Sequence, residues 1–175
     1  MGLGILMCGL NGAGKSTLGR ALADRLGYHF IDNEDLYFPK TDPDYMYAVE
    51  RTQEEVEELL LSEIKTYGNF VFTSVKGSYE KALPFFDIAV LVSVPRELRL
   101  ERVKERSFKK FGERALPGGD LYEHEKGFFE FISARPENMV EEWLKSFDGR
   151  VIRVDGTKPI DENVEFIAGE IRSLI

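Results

Sequence analysis

Cysteine is almost missing from this chain: among its 175 residues Cys8 is the only one. A lone thiol closes no intrachain disulfide, so the fold must stand on its apolar core, and a reducing, cytoplasmic compartment is expected. Cys8 ends an apolar run and reads as a small core residue. Cations are also in short supply, with 23 Lys and Arg against 31 Asp and Glu and a formal net charge of −8. Nucleic acid is held by clustered cations on its phosphate backbone, so this balance speaks against such a partner. What positive charge there is gathers between Arg96 and Arg114. Long apolar runs are missing too: no segment approaches the roughly 18 residues a membrane helix needs. The opening run Met1 to Cys8 is too short for a secretory leader. With no repeats, low-complexity tract or long linker, the expectation is a single domain over 1–175. It is expected to act in the cytoplasm as a monomer or homodimer, away from membranes.

What is present is concentrated at residues 9–17, Gly-Leu-Asn-Gly-Ala-Gly-Lys-Ser-Thr, which satisfy G-x-x-x-x-G-K-[ST] in full. The chemistry needs these types at this spacing. Glycines let successive N–H groups converge on one concavity that takes phosphate oxygens. Lys15 can then reach the β and γ phosphates, and the Ser16 hydroxyl can ligate Mg²⁺. The apolar run Leu3 to Cys8 before the motif reads as a buried strand, and Leu18, Ala21, Leu22 and Leu26 recur after it at helical spacing. Strand, glycine loop and helix N-terminus is the arrangement that presents a helix dipole to an anion. The expected nucleotide contacts are therefore Gly9, Asn11, Gly12, Ala13, Gly14, Lys15, Ser16 and Thr17, with a nucleoside triphosphate and magnesium as ligands.

Further along, strand and helix patterns alternate. Tyr28–Ile31 reads as a second strand, followed by the acidic cluster Asp32-Asn33-Glu34-Asp35 and an irregular stretch to Arg51 rich in tyrosine. Thr52-Gln-Glu-Glu55 resembles a capping box opening a helix that ends at Gly68. Strands are predicted at 70–75, 88–94 and 151–154. The helix from Arg96 is predicted to end at Arg106, with an irregular mobile loop over 107–120. A long helical stretch over about 121–147, interrupted or bent at Pro136, and a closing helix over 160–174 complete the pattern. Such alternation, with long crossovers, implies a parallel sheet covered by helices on both faces.

This wider pattern resembles the small P-loop kinases, the group that includes adenylate, shikimate and gluconate kinases. The resemblance implies a three-layer α/β sandwich of the P-loop NTPase kind, with a five-stranded parallel sheet in the order 2-3-1-4-5. It also implies a helical substrate-binding insert, here about 34–67, and an arginine-bearing lid, here about 107–120. Shikimate and gluconate kinases resemble each other in carrying Asp-x-Asp after strand 2, where this chain has Asp32, Glu34 and Asp35. Asp32 is the first choice for the carboxylate that orients the acceptor hydroxyl and joins Ser16 at the magnesium, and Asp35 is the second. The same cluster also reads as an acidic N-cap of the next helix.

By the same resemblance Lys76, Gly77 and Arg135 fall where shikimate kinase meets its substrate, although a solvated loop lysine describes Lys76 equally well. Arg106 and Arg114 are the arginines expected over the phosphates, because guanidinium binds phosphate oxygens bidentately. Arg99, Arg102 and Arg106 share one helix face, with Glu101 and Glu105 between them as in a solvated, charge-paired helix. Gly156, Thr157, Lys158 and Pro159 match the Asp-Gly-Thr-x-Pro turn that meets the adenine edge in adenylate kinases, and an ordinary turn has the same spacing. Tyr37, Phe38, Tyr45 and Tyr47 either line an acceptor pocket or pack the insert, and His29 and His124 read as structural. The activity implied is transfer of the γ-phosphoryl of ATP, with Mg²⁺, to a hydroxyl on a small molecule. A nucleoside or nucleotide kinase, and a nucleotide-binding regulator or ATPase, stand as alternatives.

Overall fold

The central strand of the sheet is shielded from solvent end to end. In the computed structural model, which describes residues 2–174, β1 (Gly4–Cys8) is buried along its whole length. Successive side chains leave a strand on opposite faces, and here both faces are apolar. Ile5 and Met7 enter one core with Val71, Val90, Leu18 and Leu22, while Leu6 and Cys8 enter the other with Phe72, Leu91, Val56 and Leu60. A strand of that kind belongs mid-sheet between two helical layers. The observed order is β2-β3-β1-β4-β5, every pairing parallel. The expected class and order are therefore found.

The elements run in sequence. The helix α1 (Lys15–Leu26) follows the glycine loop, and β2 (His29–Asp32) leads directly into α2 (Asn33–Tyr37). Residues 38–52 carry no regular element. The helix α3 (Gln53–Tyr67) opens with the expected capping box: the Glu55 N–H donates to Thr52 Oγ1 at 3.2 Å, and the Thr52 N–H donates to Glu55 Oε2 at 2.7 Å. Its stripe Val56, Leu60 and Ile64 is buried on the sheet, each such side chain contributing about 1.5–3 kcal/mol. After β3 (Phe70–Thr73) come β4 (Ile88–Ser93), α4 (Arg96–Phe111), α5 (Tyr122–Ser133), α6 (Met139–Leu144), β5 (Arg150–Asp155) and α7 (Ile160–Arg172).

Several sequence expectations need correction. The second strand begins one residue later than read and takes in Asp32. The helix after β4 does not stop at Arg106 but runs to Phe111, and Gly112–Ala115 then form a 3-10 turn, so 107–120 is largely ordered structure and not an irregular loop. Phe108, Lys109 and Lys110 continue a helix readily, and the stop comes at Gly112, whose φ of 58° is left-handed. By contrast, the helical stretch read over 121–147 is interrupted as expected at Pro136, which can neither donate nor fit inside a continuous turn and separates α5 from α6.

Candidate active site

The glycine loop lies at the carboxyl end of β1, between that strand and α1. The loop backbone is left-handed at Gly12 and Gly14, with φ of 83° and 88°. Gly12 has a second constraint: a Cβ there would lie 2.3 Å from the Arg99 carbonyl oxygen. The α4 backbone therefore presses directly against the loop, and its side chains hold it. Arg99, only 3% exposed, donates to Asn11 O at 3.0 Å and Val94 O at 3.2 Å, and pairs bidentately with Glu137 at 2.7 and 2.8 Å. Arg102 donates to Gly12 O at 3.3 Å. Arg135, on the segment between α5 and α6, donates to Asn11 Oδ1 at 2.9 Å. Of the three arginines on one face of α4, Arg99 is thus a structural clamp, and the shared face hid that difference.

Lys15 is the first residue of α1 and is not fully exposed. It is half-buried, with its ammonium folded back to donate to Leu10 O at 3.2 Å. Burial, followed by the Arg106 charge, lowers it from an ordinary 10.5 to about 8, against the opposing pull of Cys8 and Asp32. Cys8 itself is buried, and that burial pushes its thiol up to about 12, which leaves it inert. Ser16 and Thr17 are exposed on the first turn of α1. Their open hydroxyls, directly after the glycine loop, fit a magnesium-bound triphosphate. Mg²⁺ keeps most of its waters and needs few protein oxygens.

Asp32 is half-buried at the end of β2, and its Oδ1 accepts from the Glu34 N–H at 3.0 Å. It is therefore the N-cap of α2, and it also lies near enough to act on Lys15. The two readings of the acidic cluster coincide in one residue. Asp35, by contrast, is exposed and paired with Lys40 at 2.6 Å. Glu34 faces inward, accepting from Tyr47 Oη at 3.1 Å and Lys40 Nζ at 3.3 Å.

Two clefts flank these groups. In the first, Ala13, Gly14 and Thr17 meet Arg102, Asn163 and the 156–159 turn. The turn is fixed by Asp155, which accepts from Thr157 N and Oγ1 at 2.8 and 2.6 Å, and by Asn163 Nδ2 donating to Asp155 O at 2.8 Å. Gly156 is required, since a Cβ would lie 2.9 Å from Ala13 O and closer still to Val92 and Val94. Gly156, Thr157, Lys158 and Pro159 are thereby brought beside the phosphate loop from the far side of the sheet. Arg102 and Asn163 are functional candidates the sequence did not single out. The three-residue spacing from Arg99 was the only signal for Arg102.

The second cleft, about 200 Å³, opens between residues 38–50, the second half of α4 and the start of α5. Glu34, Arg106, Lys110 and Glu125 line it with an aromatic group, and Arg106 connects it electrostatically to Lys15. His124, read as structural, lies in its wall. Arg114 is engaged elsewhere, bidentate on Asp120 at 2.9 and 2.7 Å and donating to Asp44 O at 2.9 Å, so it ties the segment after α4 to residues 38–52. Lys76 is half-buried. Gly77 packs where a Cβ would be 2.5 Å from Trp143 and 2.7 Å from Leu83, a steric need independent of any ligand.

The chain is similar to known proteins over most of its length. A family model described as an AAA domain, AAA_18, matches residues 5–114, from β1 to the turn after α4. The protein YqaC of Bacillus subtilis, itself described as uncharacterized, is 26% identical over 178 residues, covering 97% of each chain. Shikimate kinase of Thermosynechococcus vestitus is 29% identical over 112 residues, spanning 59% of this chain and 61% of that enzyme. Among solved structures, deoxyadenosine kinase of M. mycoides with bound dATP has a TM-score of 0.59 at 17% identity, covering 97% of this chain and 100% of that one. That last likeness is one of fold.

Proposed function

This chain belongs to the AAA_18 family and is a small P-loop kinase-type protein, and on that premise we propose that it moves the γ-phosphoryl of ATP to a hydroxyl on a small molecule in the cytoplasm. The supporting observation is the position of Arg106: it lines the 200 Å³ cleft and is also the charge that acts most strongly against Lys15. An acceptor in that cleft and a triphosphate on the loop would share one electrostatic centre.

The adenine lies against the 156–159 turn and Arg102 in this reading, and the loop amides from Asn11 to Thr17 hold the phosphates. Lys15 leaves the Leu10 carbonyl for the β and γ oxygens, which supply the negative charge its half-buried ammonium lacks. Ser16 would hold Mg²⁺, with Asp32 in its outer shell, and the ion supplies charge neutralisation on the β and γ oxygens. Asp32 orients the acceptor hydroxyl and accepts its proton as the new O–P bond forms. The β–γ bridging P–O bond breaks with its electrons going to ADP. Arg106 screens the charge spread over the transferring group. The turn after α4, tied through Arg114 to Asp44, closes over the cleft and keeps water from competing. Lys76 and Arg135 are left as acceptor contacts, Arg135 by way of Asn11.

The test is ADP formation from Mg·ATP across panels of sugars, hydroxy acids and nucleosides. Acceptor-dependent ADP release that disappears in Lys15→Ala supports the reading. ADP release indifferent to every acceptor points to an ATPase instead.

A further inference from the structure

The acceptor cleft is more aromatic than a polyol requires. Phe38 meets Tyr47 edge-on at 4.9 Å, Tyr45 meets Tyr47 at 5.7 Å, and both tyrosines approach Phe111 of α4, at 5.4 and 6.0 Å. Rings from the irregular 38–52 stretch and from the end of α4 thus form one box although they lie more than 60 residues apart. Flat rings placed so suit another flat ring, by offset stacking or edge contact.

The polar groups in the same cleft narrow the choice. Glu125 accepts from Tyr45 Oη at 2.8 Å on one oxygen and from Ser107 Oγ at 2.9 Å on the other. Glu34 accepts from Tyr47 and Lys40 in the same divided way. A carboxylate oxygen offers two lone pairs, so each keeps capacity for one more donor. Three carboxylates (Glu34, Glu50, Glu125) line the cleft with two cations (Arg106, Lys110), and Lys40 pairs with Glu34, so no net charge selects the acceptor. A ring bearing N–H donors would meet aromatic faces and free acceptor oxygens.

We propose that the acceptor is a nucleoside whose base carries an exocyclic amine. The base sits in the Phe38–Tyr45–Tyr47–Phe111 box, its amine donates to Glu125 or Glu34, and a sugar hydroxyl is turned toward Asp32. A cavity of about 200 Å³ holds one such molecule and leaves no room for a polymer. This inference rests on the kinase reading above, and supplies its substrate class.

The experiment measures ADP formation and direct binding by calorimetry with adenosine, cytidine and their deoxy forms, set against uridine, inosine, gluconate and shikimate. Mg·ATP binding is measured separately. The expected result is turnover of an amino-bearing nucleoside with kcat/KM at least tenfold above its oxo counterpart. Tyr45→Ala should weaken nucleoside binding on the order of tenfold while Mg·ATP binding stays within a few-fold. Glu125→Gln, with its fold checked by circular dichroism, should erase the preference for the amine. Turnover of gluconate or shikimate with silent nucleosides overturns the inference and leaves the kinase reading standing. Equal turnover of amino and oxo nucleosides overturns the role given to the carboxylates. No binding of Mg·ATP overturns both readings together.

Discussion

Nucleotide binding at alkaline pH should draw a proton onto Lys15. In the free protein burial holds this ammonium at about 8, against an ordinary 10.5, with Arg106 adding to the depression. Triphosphate oxygens placed beside it favour the charged form and should carry it back above 10. The free lysine is then about 0.8 neutral at pH 8.5 and about 0.1 neutral at pH 7, so binding should take up about 0.7 of a proton at the first and about 0.1 at the second. Calorimetric titration with a non-hydrolysable ATP analogue in two buffers of different ionisation enthalpy reads this number directly. Lys15→Ala should abolish the uptake at pH 8.5. The sign for stability follows the same linkage. A lysine depressed in the fold binds fewer protons there than in the unfolded chain, so free-protein stability should rise as pH passes from about 8 towards 10.5. The full depression of about 2.5 units corresponds to at most about 3 kcal/mol. At pH 7, therefore, Lys15→Ala should leave thermal stability equal or raised. Zero uptake at pH 8.5, or the same uptake in Lys15→Ala, would refute this account of the loop.

Three further outcomes are expected. Asp32→Asn should keep the α2 cap, since asparagine caps as well as aspartate, and hold ATP affinity within a few-fold while cutting turnover at least a hundredfold; a loss of nucleotide binding in calorimetry would make Asp32 a direct metal ligand. Gly77→Ala should cost about 1–3 kcal/mol in urea unfolding, because its Cβ would overlap Trp143 and Leu83; an unchanged midpoint would show that those side chains give way freely. In hydrogen exchange, Ser107–Phe111 should be protected in the free protein as part of α4, while 112–120 gains protection only with nucleotide and acceptor together. Equal protection of 112–120 in both states would make it a fixed surface turn.

Much of this structure was legible because its signals are local. The phosphate loop, the capping box at Thr52 and the glycine stops depend on residues within one turn of each other, and β1 and β4 are apolar enough on both faces to read as central. The sheet order came from family resemblance, since periodicity alone does not order strands. What escaped is tertiary. Nothing in the spacing of Arg99, Arg102 and Arg106 says that the first is buried against Asn11 while the last faces a cleft. The inclination of α4 across the loop decides it. The extension of α4 to Phe111 was lost because three basic residues with three glycines look like a loop, although the first glycine stands only at 112. Glu34, and not Asp35, faces the cleft, while Lys40, the one non-glycine with positive φ among the described residues, pairs with both carboxylates. His124 and Glu125 both meet Tyr45, about 80 residues earlier, a contact no local spacing announces.

The central claim is that phosphorus leaves ATP for a hydroxyl and not for water. Phosphorus NMR of a reaction containing protein, Mg·ATP and a responsive acceptor tests it most directly. The account predicts a phosphomonoester signal growing in step with ADP, with inorganic phosphate at background and both signals missing in Lys15→Ala. ADP accompanied by stoichiometric inorganic phosphate, whatever acceptor is added, would contradict it.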